Sequence, residues 1–137
     1  MHGVQMTAIG DPSVLRLGQS SVAEPGPRQV RVKISAAGIN PIDTKLRQRG
    51  LFNPEAALPA ILGCDGAGAV EAVGEGVERV APGERVFYFN GGIGFEPGNY
   101  AEYALVDERC LAPIPENVAD VTAAATPLAS LTAWEGL

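Results

Sequence analysis

The sequence predicts a mainly β domain, rolled into a barrel, with one short helix inside it and a helical segment at its C-terminal end. Three observations lead there. Seventeen Gly and eleven Pro in 137 residues favour a turn-rich fold of short strands. Several stretches alternate apolar and polar residues with the period of a half-buried strand. The one long helical pattern, "VTAAATPLASLTAWEGL", closes the chain.

The elements follow in order. "GVQMTAIGDPSVLRLGQ" reads as a hairpin with Gly10-Asp11-Pro12 at its turn. "AEPGPRQ" is a loop. In "QVRVKISAAGI" Val30, Val32 and Ile34 alternate with Arg31, Lys33 and Ser35, as one strand face in the core requires. "AAGINPIDTKLRQRG" then starts the short helix. Pro41 suits a first helical turn, where its missing N–H has no partner to lose. Asn40 is the natural N-cap, and Asp43 lies near the positive end of the helix dipole. "LFNPEAALPAILG" is irregular. "AGAVEAVGEGV" is a strand ending in a turn at Gly74-Glu75-Gly76, and "VAPGERVFYFN" is a turn at Pro82-Gly83 followed by a strand. "GGIGFEPGN" is a Gly-rich loop, and "YAEYALVDE" is another strand. After the proline-containing "CLAPIPENVAD", Asp120 is placed to cap the terminal helix and Pro127 to break or kink it.

The bulk numbers exclude several classes of function. Sixteen acidic against ten basic residues give a net charge of −6 with no Lys/Arg cluster, which argues against a nucleic-acid partner. No apolar run reaches the roughly 18 residues a membrane span needs. The N-terminus lacks the basic start and apolar block of a signal peptide. Cys64 and Cys110 make no disulfide framework and read as small buried hydrophobes, so a reducing cytoplasm is the expected compartment.

The stretch "GCDGAGAVEAVGEGVERVAPGERV" resembles the signature of medium-chain dehydrogenases/reductases. Its members are Gly63, Gly66, Gly68, Val73-Gly74, Val77 and Pro82-Gly83-Glu84-Arg85-Val86. "AAGINPIDTKLRQRG" is similar to the N-x-x-D segment of the quinone oxidoreductase branch. "AAATPLASLTAWEGL" is similar to the helical lead into that family's cofactor domain. Together the three segments span nearly the whole chain. The resemblance implies a GroES-like, partly open β-barrel over about residues 1–120, with residues 121–137 leading into a Rossmann domain absent from this sequence. "GAGAVE" and "GIGFEP" lack the last Gly of G-x-G-x-x-G and do not sit between a strand and a helix. These residues alone are therefore not expected to hold a dinucleotide tightly. The last residues, Trp134-Glu135-Gly136-Leu137, fall inside the helical pattern, as in a fragment. Leu131, Trp134 and Leu137 are expected to be exposed without the following domain.

The resemblance also bears on metal. The zinc-dependent branch carries Cys where Asn40 stands and His where Cys64 stands. A catalytic zinc takes about three protein ligands and an open position. Asn40 is a poor ligand, the sole His is His2, and Val86–Tyr100 contains no Cys for a structural zinc. No zinc is expected. A zinc-free reductase must stabilise the negative charge that hydride transfer builds on an acceptor oxygen with positioned donors. The Asn40 amide is such a donor, and the resemblance makes it a catalytic and cofactor-facing candidate. It is equally a plain N-cap, and both readings can hold together.

Thr132 matches a family threonine near the nicotinamide amide, or else is a helix-surface hydroxyl. Lys45 and Phe52 stand where quinone reductases of the family often carry tyrosines. Lys45 reads more simply as a solvated helix residue, and Phe52 as an apolar wall of the substrate cleft. Tyr88, Tyr100 and Tyr103 read as core or rim aromatics. Asp43 reads as a helix N-terminal carboxylate and Asp65 as structural.

The expectation is a catalytic-domain fragment of a zinc-independent NADPH- or NADH-dependent reductase. It would act on a small quinone, enone or aldehyde, and the parent would dimerise through the cofactor domain. The rivals are a zinc-dependent alcohol dehydrogenase domain and a stand-alone binding module without catalysis.

Overall fold

The computed structural model describes residues 1–137 as two antiparallel sheets with three short α-helices. The predicted hairpin forms from β1 (His2–Met6) and β2 (Leu15–Gln19). A single 3-10 turn at Pro12–Val14 joins them, capped by Asp11, whose carboxylate accepts from Ser13 N–H at 2.8 Å. The short strand β4 (Ala60–Ile61) adds to the other edge of β1, giving the order β2-β1-β4. The irregular reading of that region missed this pairing because two residues carry no alternation.

The larger sheet has the order β7-β3-β5-β6-β8. Its strands are β3 (Gln29–Gly38), β5 (Asp65–Val73), β6 (Arg85–Phe89), β7 (Tyr103–Asp107) and β8 (Leu111–Pro113). β8 is too short for the sequence pattern to reveal it. An isolated bridge joins Gly3 of β1 to Ala101, two residues before β7, and the barrel is not closed.

The alternation of β3 is realised: Val30 and Val32 are fully buried and Lys33 is exposed. They join Val70, Val86, Tyr88, Val106 and Leu111 in the main core. A smaller cluster of Met6, Leu46 and Leu62 lies under helix α1 (Pro41–Arg49). The C-terminal segment breaks where Pro127 predicts, into α2 (Asp120–Ala124) and α3 (Pro127–Gly136). Pro127 opens α3, where the N–H it lacks would have had no intrahelical partner.

Two local expectations are corrected. Asp120 is the first residue of α2 and not its cap; the cap position is Ala119. The Asp120 carboxylate is instead drawn to the Ser35 hydroxyl and to Arg85, whose guanidinium lies 2.6 Å away. Cys110 is exposed, because it ends a 3-10 turn and Leu111 takes the inward position of β8. Cys64 is buried as expected. Leu131, Trp134 and Leu137 are exposed, Trp134 to 78%. No helix is long and apolar enough to cross a membrane.

Candidate functional site

The site forms where the end of β3, the start of α1, the start of β5 and the first turn of α3 converge. Asn40 is the N-cap of α1 in extended geometry (φ −124°, ψ 156°), as Asn-Pro before a helix dictates. Asp43 returns its carboxylate to the Asn40 backbone N–H at 2.8 Å, which is the reciprocal half of a capping box. Asp43 is also buried, and the Tyr100 hydroxyl donates to the same oxygen at 2.7 Å. Burial, then this hydrogen bond to a carboxylate, pushes the Tyr100 hydroxyl pKa well above the ordinary tyrosine range.

The side-chain amide of Asn40 points to Asp65. Its nitrogen donates to Asp65 Oδ2 at 3.0 Å. Asp65 Oδ1 accepts the Leu128 backbone N–H, also at 3.0 Å. Asp65 is almost fully buried, and desolvation raises its pKa; Asn40 and Leu128 lower it and the nearby Asp43 raises it. Asp65 thus caps α3 from a different element, in a helix whose own cap residue, Thr126, makes no side-chain cap bond. A carboxylate there also meets the positive end of the helix dipole. Burial pushes the Cys64 thiol up to about 12, with Asp43 and Asp65 adding to the shift.

Asn99, which the sequence did not single out, is fully buried. Its amide donates to the carbonyls of Gly63 at 2.9 Å and Asn90 at 2.8 Å, tying the Gly-rich loop to the start of β5. Tyr100 and Asn99 share the "GNY" stretch, whose only sequence signal is a Gly-Asn turn. Of the predicted tyrosines, Tyr88 is a buried core residue and Tyr103 is half-buried on β7.

The other candidates are dispersed. Thr132 lies on α3, exposed, with its hydroxyl donating to the Leu128 carbonyl at 2.8 Å. Lys45 is exposed on α1, and Phe52 is 61% exposed in the following loop. No group of three or more His, Cys, Asp or Glu is placed to hold a metal ion.

The sequence model of the alcohol dehydrogenase GroES-like domain matches residues 26–116, two thirds of the chain. The chain belongs to this family. A quinone oxidoreductase of Pseudomonas aeruginosa is 43% identical over 94% of the chain and 38% of its own length. The structure of an NAD-dependent alcohol dehydrogenase superposes with TM-score 0.91 at 38% identity, over 98% of this chain and 46% of that one. The Escherichia coli quinone oxidoreductase complexed with NADPH gives TM-score 0.87 at 31% identity, over 100% of this chain and 40% of that one. The resemblance to medium-chain dehydrogenases/reductases read from Gly63–Val86 is borne out, as is the GroES-like fold. The chain spans about 40% of the length of the curated relatives it matches.

Proposed function

We propose that these residues form the catalytic domain of a zinc-independent NAD(P)H-dependent oxidoreductase. The enzyme passes a hydride to a small quinone, enone or aldehyde. Residues 1–120 are the GroES-like body, and residues 121–137 lead into a Rossmann domain that binds the dinucleotide and forms the dimer. The protein acts in the cytoplasm, without nucleic-acid or membrane partners. The observation that carries this reading is the Asn40 amide, held at the mouth of α1 by Asp65, with relatives named quinone oxidoreductases in support.

The side chains present decide which groups fit. All strand pairs are antiparallel, so no βαβ unit is present to bind a pyrophosphate. Asn40 and Thr132 are assigned to the nicotinamide end, where the bound cofactor would supply the hydride. Zinc does not fit. The Asn40 nitrogen faces Asp65, both Asp65 oxygens accept hydrogen bonds, and no group of three or more His, Cys, Asp or Glu is gathered to hold the ion. In the proposed site Asn40 supplies a donor to the acceptor oxygen, Phe52 forms an apolar wall and Lys45 sits at the rim. Their joint task is to orient the acceptor and exclude water.

The test is NADPH oxidation by the full-length protein with a quinone series, before and after dialysis against a chelator. Chelator-resistant turnover that falls in Asn40→Ala is expected. Turnover that requires stoichiometric zinc overturns the reading.

A further inference from the structure

We infer that Asp65 is the positioning residue of the site, one carboxylate holding Asn40 and α3 in register with each other. The inference rests on the proposed roles of Asn40 and Thr132. Its geometry is a continuous chain of contacts. Asp65 Oδ2 accepts from the Asn40 amide at 3.0 Å. Asp65 Oδ1 accepts the Leu128 N–H at 3.0 Å, and the Leu128 carbonyl accepts the Thr132 hydroxyl at 2.8 Å. Asn40 and Thr132 come from segments far apart in sequence, and this single buried side chain connects them.

The chemistry of the pair fixes orientation as well as position. An amide can present either its nitrogen or its oxygen, and only the nitrogen donates. A carboxylate facing it repels the oxygen and selects the nitrogen, so Asp65 decides which way the Asn40 amide is turned. One N–H is committed to Asp65 and the second remains available to an acceptor. The acid has little freedom of its own. It is 1% exposed, and a Cβ built on Gly38 would lie 2.9 Å from its Cβ. A first contact is most precise when its support is itself locked by packing.

The test uses the full-length enzyme and a double-mutant cycle with Asn40→Ala and Asp65→Asn. Asp65→Asn keeps the shape but replaces one acceptor oxygen by a donor that opposes Asn40 or Leu128. Its kcat is expected to fall on the order of tenfold or more, as misplacement of a reacting group does, with KM for the quinone nearly unchanged. In the Asn40→Ala background the same change is expected to cost little more. Additive losses overturn the inference and leave Asn40 in its role. An Asn40→Ala enzyme with unchanged kcat overturns the proposed role of Asn40 and this inference with it. The wild-type enzyme gives a measurement that no unfolded variant can obscure. One proton of the Asn40 side-chain amide should exchange slowly in an NMR spectrum, and rapid exchange of both overturns the inference.

Discussion

The Tyr100 hydroxyl donates to Asp43 Oδ2 at 2.7 Å, joining residues 57 positions apart. Asp43 uses the same oxygen to receive the Asn40 backbone N–H. A side chain before β7 thus braces the first turn of α1, and a buried carboxylate depends on two donors. Tyr100→Phe removes one of them. Hydrogen bonds to charged groups contribute about 1.5–3 kcal/mol, and a loss in that range is expected. Urea denaturation should show a lower midpoint with an unchanged slope. An unmoved midpoint would mean that Asp43 does not need the tyrosine.

Two glycines of the family signature are explained by aromatic rings. Gly66 pairs with Tyr88 across β5 and β6, and a Cβ there would lie 2.6 Å from the ring carbon Cζ. Tyr88 is fully buried and cannot swing away. Gly66→Ala is expected to cost about 1–3 kcal/mol by overpacking. Gly63→Ala is expected to cost more. Its Cβ would meet the Tyr100 ring at 2.7 Å, and its φ of +101° is strained for any L side chain. Thermal unfolding of both variants checks the order; a milder Gly63→Ala would refute it.

What could be read from the chain was local. The Val30, Val32 and Ile34 alternation gives β3, and Asn40-Pro41 with Asp43 gives the cap of α1, because strand pleat and helix capping act between near neighbours. The links that build the site are not local. Asn40 to Asp65, Asp65 to Leu128 and Tyr100 to Asp43 each join separate elements. Asp120 shows the same limit from the other side. The capping rule nominated it, but Ser35 and Arg85, brought close by the sheet, compete for its carboxylate. Cys110 was misread because composition favours buried cysteine, whereas its position is set by Leu111 beginning β8.

The two cysteines should differ in reactivity. Cys110 is exposed, whereas Cys64 is 1% exposed and its pKa is pushed up to about 12 by burial beside two acids. The thiolate is the reactive form, so Cys64 is unreactive on both counts. Brief iodoacetamide treatment of the native protein near pH 8, read by peptide mass spectrometry, is expected to label Cys110 alone. Denaturant should then expose Cys64. Equal labelling of both in the native state would contradict the buried position.

Acid stability should depend on carboxylates of opposite sign, of which Glu108 and Asp65 are buried. Glu108 is buried at its carboxylate, which accepts from the Arg28 guanidinium at 2.6 Å and from the Glu78 and Arg79 N–H groups. The Arg28 bond, then that from Glu78, lowers its pKa. The unfolded chain therefore binds a proton more readily than the native one. The stability Glu108 contributes is fully present above the ordinary glutamate value of about 4.3 and is lost as pH falls from there through the lowered native value. Asp65 has the reverse relation, because burial raises its native pKa. Its ionised form opposes folding, so lowering the pH through its raised value, above about 4, relieves that opposition. Wild-type melting temperature should hold or rise slightly on acidification from neutrality and then drop below about pH 4. Glu108→Gln should melt several degrees lower at neutral pH and show a shallower acid drop. Asp65→Asn should abolish the rise. A Glu108→Gln profile parallel to wild type below pH 4 would show that this buried carboxylate is not what acid attacks.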